Sequence, residues 1–167
     1  MGLFDIGSPK ATTPNVKSML PQIAQQEILN GRLPILKTQR IFLESGEICH
    51  YMDNAVYEKE ISRRKTVKKS GGYSVPGLFK GTRIHVGEAK YDTVTEKDFE
   101  HHSGILYITN KRILFVGDGN GFEEKLSNLV AATPYLNCIQ LQMKKSTYRL
   151  FVPNGNVPYI ALQILKQ

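Results

Sequence analysis

Between Lys59 and Arg83 the chain carries Lys59, Arg63, Arg64, Lys65, Lys68, Lys69, Lys80 and Arg83 against one acidic residue, Glu60. That surplus equals the formal net charge of the whole chain, +7, so the remainder is balanced. Localised cations of this kind suit phosphate oxygens, an anionic membrane surface or an acidic protein face. The candidate anion- or partner-binding residues are Arg63, Arg64, Lys65, Lys68, Lys69, Lys80 and Arg83. The plain structural alternative is a solvated basic edge that discourages aggregation. Nucleic acid fits less well. Single-strand binders interleave cations with stacking aromatics, yet only Tyr73 and Phe79 lie near the cluster and the chain has no Trp.

Other reactive residues are sparse. Glu96, Asp98, Glu100, His101 and His102 form an acidic stretch with two histidines. Adjacent histidines on an extended chain point apart, and no further His or Cys sits at ligand spacing, so no metal site is expected. Cys49 and Cys138 are far apart without a CxxC partner and read as reduced core thiols. Nothing resembles a nucleophile elbow, a phosphate loop, paired catalytic carboxylates or a Cys/His dyad. The expectation is a non-enzymatic protein without cofactor.

The elements that hold these residues are most legible in Ser103–Gly117, SGILYITNKRILFVG. Two apolar runs flank Thr109-Asn110-Lys111-Arg112, with Asn110 suited to the positive φ of a tight turn. A two-residue loop at Asn110-Lys111 puts Leu106, Ile108, Ile113 and Phe115 on one face. Ile105, Tyr107, Leu114 and Val116 then share the other. A hairpin apolar on both faces must be covered on both. Thr109 and Arg112 form a cross-strand polar pair beside the turn.

Around this hairpin the chain punctuates itself. Residues 1–17 read as a flexible arm. A helix is expected from Met19 to Asn30, with Ser18 as cap, an apolar stripe of Met19, Leu20, Ile23, Ala24 and Ile28, and Gly31 as stop. Leu33 to Gly46 looks extended. Glu47 to Lys65 has strand content that Asp53-Asn54 is expected to break. Tyr73 to Val86 is a strand interrupted at Pro76-Gly77, and residues 87–102 read as a polar loop. Phe122–Leu126, Cys138–Lys144 and Thr147–Val152 are short strands. A final helix is capped by Asn156, with Val157, Ile160, Ala161, Ile164 and Leu165 on its buried face.

The wording of residues 103–117, together with GEICHYMDNAVYEKE and Lys80-Gly81-Thr82-Arg83-Ile84, resembles bacterial pleckstrin-homology-like and GRAM-like domains. That resemblance implies a mainly β fold with α: a pleckstrin-homology-like barrel of about seven antiparallel strands capped by a C-terminal helix, plus an N-terminal helix. Residues 1–17 are then an arm, 18–45 the first helix and its connector, and 46–167 the barrel domain. Many such domains bind phosphoinositides through cations around the loop joining their first two strands. Here Lys80 and Arg83 are separated by two residues instead of one, which would point them to opposite strand faces.

The expected function is a cytoplasmic binding module. Its partner is expected to be another protein, or a second copy, met through exposed strand edges and the N-terminal helix. The alternatives are peripheral binding of anionic lipid, phosphoinositide or phosphate through residues 59–83, and a bacterial or phage mobile-element protein that inhibits a host factor. Cytoplasmic location rests on the lack of a basic leader or an apolar run near ~18 residues.

Overall fold

A computed structural model describes residues 13–69, 73–76, 83–86 and 90–167. The chain divides into two units, residues 1–59 with 101–167, and residues 60–100. The mainly β architecture with an N-terminal and a C-terminal helix is the expected one. Its strands are β1 (Cys49–Lys69), β2 (Tyr73–Pro76), β3 (Arg83–Val86), β4 (Lys90–Thr109), β5 (Arg112–Gly117), β6 (Gly121–Lys125), β7 (Leu129–Pro134), β8 (Cys138–Met143) and β9 (Thr147–Phe151). Helix α1 covers Gln22–Leu29 and α2 covers Asn156–Leu165, with a 3₁₀ turn at Leu126–Asn128. No described helix is long and apolar enough to cross a membrane.

Seven strands form one antiparallel sheet in the order β6-β5-β4-β1-β9-β8-β7. Laid flat, its edges would stand about 29 Å apart at ~4.8 Å per strand. Edge strands β6 and β7 are joined by only the 3₁₀ turn, whose chain can span at most about 14 Å. The sheet therefore curls until its edges approach.

The hairpin register is the expected one, with Ile108 opposite Ile113 and Leu106 opposite Phe115. Its two faces feed separate clusters. Leu106, Ile108, Ile113 and Phe115 join Leu20, Ala24 and Ile28 of the α1 segment and Val157, Ala161 and Leu162 of α2. Ile105, Tyr107 and Leu114 join Ile41 and Cys49, with Leu36 and Val116 packed alongside. The connector before β1 is thus the lid on the second face. Each fully buried Leu, Ile or Phe contributes about 1.5–3 kcal/mol.

Several local expectations are corrected. Asp53-Asn54 does not break β1, because the Asp53 carboxylate is buried and has a task. It accepts from Ser18 Oγ (2.7 Å), Met19 N (2.6 Å), Leu20 N (3.4 Å) and Asn54 N (2.9 Å). Ser18 is thereby committed to Asp53, and Pro21 precedes the helix without any side-chain cap. Leu20, Ala24 and Ile28 are buried, whereas Met19 and Ile23 are exposed. Gly31, at φ +85°, ends α1 in a Schellman arrangement, with Gly31 N donating to Ile28 O and Arg32 N to Glu27 O. Asn156 does not cap α2 but is its first residue, preceded by Gly155; Asn154 Oδ1 accepts from Asn156 N at 3.0 Å in the turn that leads into the helix.

The unit of residues 60–100 holds the outer parts of β1 and β4 and the β2–β3 hairpin. Residues 87–102 were expected to form a loop, but from Lys90 onward they belong to β4. Thr93 to Phe99 are exposed throughout, so neither face is selected for apolar residues and no alternation marks the strand.

Candidate functional site

The basic segment is less one-sided in space than in sequence. Arg63, Arg64 and Lys65 are exposed on β1. Lys68 and Lys69 end β1 and Arg83 begins β3, with only their backbones described, and Lys80 lies outside the described residues. Because residues 92–100 form a strand of the same unit, their carboxylates join the cations. Arg63 Nε lies 3.4 Å from Asp98, and Lys97 Nζ 3.2 Å from Glu60. Residues 60–100 carry nine Lys and Arg against six Asp and Glu, a surplus of three. Such exposed pairs contribute roughly 0–1 kcal/mol each, so their effect is on the field, not on stability.

The Thr-Asn-Lys-Arg turn is a brace. Asn110 keeps a negative φ, since positive φ among the described residues occurs only at Gly31, Gly46 and Gly119. Its value is its amide: Oδ1 accepts from Ile48 N (2.8 Å) and Nδ2 donates to Gly46 O (3.0 Å). Thr109 Oγ1 accepts from Lys111 N and Arg112 N and donates to Glu47 Oε2 at 2.7 Å. Arg112 grips Glu47 with both Nε (2.8 Å) and an Nη (3.0 Å), and reaches Glu123 (2.9 Å) and the carbonyl of Phe42 (2.7 Å). Lys111 Nζ donates to Ser45 O at 2.6 Å.

The Glu47 side chain is wholly buried. Burial alone would raise its pKa, but Arg112, the Glu44 amide and Thr109 outweigh burial and hold it below the ordinary value. Arg112 is pushed further up by Glu47, against burial and with help from Glu123. The expected Thr109–Arg112 pair is therefore real, and Glu47 is the partner that sequence reasoning missed. Phe42, 94% exposed, rides on the segment this brace fixes.

The histidines and thiols find structural partners. His101 Nε2 lies 3.1 Å from Glu58, and its ring meets Phe151 edge-on at 5.7 Å. His50 Nδ1 lies 2.7 Å from Pro34 O. Both cysteines are free and buried. Burial pushes the Cys49 thiol up to about 11 and raises Cys138 as well, the latter despite a hydrogen bond from Arg149. No cluster of His, Cys, Asp and Glu suited to a metal ion occurs among the described residues.

What remains is the free side of β7. This strand, absent from the sequence reading, lies at one end of the sheet order and, among the described residues, pairs with β8 alone. Antiparallel pairs alternate between exchanging hydrogen bonds and not. Tyr135 N donates to Cys138 O (2.7 Å), so counting back through the register turns the N–H and C=O of Ala132 away from β8. Pro134 also faces outward and has no donor to offer. Beside this edge lies an open groove of about 300 Å³, lined by Leu129, Val130, Ala132, Tyr159, Leu162 and Lys166. Val130 is 61% exposed, at the point where the β7–β8 register shifts.

A second, larger cavity of about 620 Å³ opens where the brace, the 3₁₀ turn and the end of α2 meet. Lys111, Arg112, Lys125 and Lys166 line it, together with Glu44 and Glu123. Sequence reasoning missed it because its lysines come from the β4–β5 turn, β6 and the residue just past α2, which no linear charge count brings together. No family model, curated protein or solved structure matches this chain.

Proposed function

We propose that this chain is a protein-binding module that accepts an extended segment of a partner along the free edge of β7. The carrying observation is the outward-facing backbone of Ala132 beside the apolar groove between β7 and α2. An added strand gains main-chain hydrogen bonds from the edge, while pockets beside it accept alternate side chains. Leu129, Leu162 and the ring of Tyr159 provide the apolar wall. The resemblance of residues 103–117 to pleckstrin-homology-like and GRAM-like domains agrees with a binding role, but does not name a ligand. The shared charge of residues 60–100 lessens the case for the basic segment as the principal contact.

Selection of short random peptides displayed on phage against the full chain tests this. Ala132→Pro removes the outward donor without removing a bond to β8, and should weaken the selected ligands by about tenfold or more. Replacing Arg63, Arg64 and Lys65 together with Ala should leave their affinity unchanged. Ligands indifferent to Ala132→Pro would overturn the proposal. So would salt-sensitive binding to phosphatidylserine vesicles that the triple substitution abolishes while no peptide is selected.

A further inference from the structure

The groove beside β7 and the cavity at the brace meet at Lys166, which lines both. Leu126 and Ser127 of the 3₁₀ turn also line the cavity, and β7 begins directly after that turn at Leu129. The cavity therefore lies at the start of the edge strand.

Its charges are unequally matched. Arg112 is spent on Glu47, Glu123 and the Phe42 carbonyl. Lys111 is held by Ser45 O, with Glu44 at 3.9 Å. Among the described residues Lys166 Nζ reaches only the carbonyl of Leu126, at 3.3 Å. Among the described residues neither Lys125 nor Lys166 meets a carboxylate. Two ammonium groups thus wait at one end of an apolar groove.

Resting on the proposed function, we infer that the docking segment carries carboxylates on its C-terminal side and that Lys125 and Lys166 bind them. The polarity follows from strand direction. Antiparallel pairing is the more stable choice for a short added strand, and it runs from the Pro134 end of β7 toward Leu129. The C-terminal end of the guest is then the end delivered to the lysines. The apolar groove takes alternate side chains of the strand, and the charge at its end sets register and direction. Acidic side chains and a free chain terminus offer the same oxygens.

The test compares synthetic peptides that share one Thr/Val-alternating core. One has Asp-Glu-Asp after the core and an amidated end, one has the block before the core, and one has no block but a free terminus. The displayed-peptide selection supplies ligands should the designed core prove weak. The first peptide should bind about tenfold more tightly than the second at low salt, with the advantage shrinking as salt rises. The third separates a free terminus from acidic side chains. Lys125→Glu with Lys166→Glu should remove or reverse the preference, and a thermal melt confirms that this variant folds. Ligands sensitive to Ala132→Pro that show no preference for a C-terminal acidic block, or keep it in the lysine variant, overturn this inference alone. Ligands insensitive to Ala132→Pro, or no ligand, defeat the parent proposal as well.

Discussion

Replacing Arg112 with Ala strands a carboxylate that is wholly out of solvent. Glu47 loses two charge-assisted hydrogen bonds, at 2.8 and 3.0 Å, and keeps only the Glu44 amide and the Thr109 hydroxyl. Removing one partner of such a buried pair costs about 3–5 kcal/mol, much of it the penalty on the charge left behind. The lost contacts to Glu123 and Phe42 O lie nearer solvent and add little. In a unit of this size, each kcal/mol moves the melting midpoint by about 4 °C, which predicts a fall of about 12–20 °C by calorimetry at pH 7.

Two further measurements separate this account from simple loss of packing. A chain with Leu at both 47 and 112 should recover at least half the loss, because apolar replacement of a whole buried pair is close to neutral. The second is pH. In the parent protein the Glu47 carboxyl is held below its ordinary value of 4.5, so its stabilisation is full above that pH and is lost as pH falls through the folded value. In Arg112→Ala, burial acts with little opposition and raises the carboxyl, so protonation on acidification relieves the penalty. The gap between the two proteins must narrow between pH 7 and 4. A deficit under about 1 kcal/mol at pH 7, or one constant across that range, refutes the reasoning.

Other residues give equally direct outcomes. Asp53→Ala removes the acceptor for Ser18, Met19 and Leu20 and should cost about 2–3 kcal/mol, with faster hydrogen exchange at the Met19 and Leu20 amides; unchanged exchange would show that the tether is idle. Gly104→Ala drives a methyl into Val116 O and 2.8 Å from Gly117 Cα, so its urea midpoint should fall by the equivalent of about 3 kcal/mol, and a parental midpoint contradicts this. With Cys49 raised to about 11 and Cys138 raised by burial, iodoacetamide at pH 8 should label both thiols slowly in native protein and fully after unfolding. Rapid labelling of one native thiol would disprove that.

Sequence patterns were informative wherever burial was one-sided or complete. The hairpin at 105–116 showed its register and both faces because every position outside its Thr109–Arg112 turn had to be apolar. The β8 alternation of Ile139, Leu141 and Met143 was legible because only one face of that strand is buried. The start of α1 was less so: Asp53, 35 residues from Ser18, engages Ser18, Met19 and Leu20 ahead of the helix, so the expected cap residue is committed elsewhere. Outer β4 was hidden because solvent on both sides imposes no pattern. β7 was hidden by Ala131, Ala132 and Pro134, which are poor strand formers, although Leu129-Val130 was an available hint. The basic segment looked more one-sided than its unit is because a linear window stopped at Arg83, short of the acids that share that unit. The Lys125–Lys166 pairing, across 41 positions, had no linear signal.

The pairing of β1 with β9 has a consequence for synthesis. Val56 faces Phe151 and Glu58 faces Arg149, so the first strand of the sheet has its neighbour in the last. At about 5–20 residues per second, the ribosome takes roughly 5–20 s to deliver that neighbour after β1 has been made. Throughout that interval the side of β1 that will meet β9 offers bare backbone groups, while its other side can already pair with β4. Chains halted before Thr147 would keep that edge open permanently, so premature termination should produce insoluble material instead of a smaller folded protein.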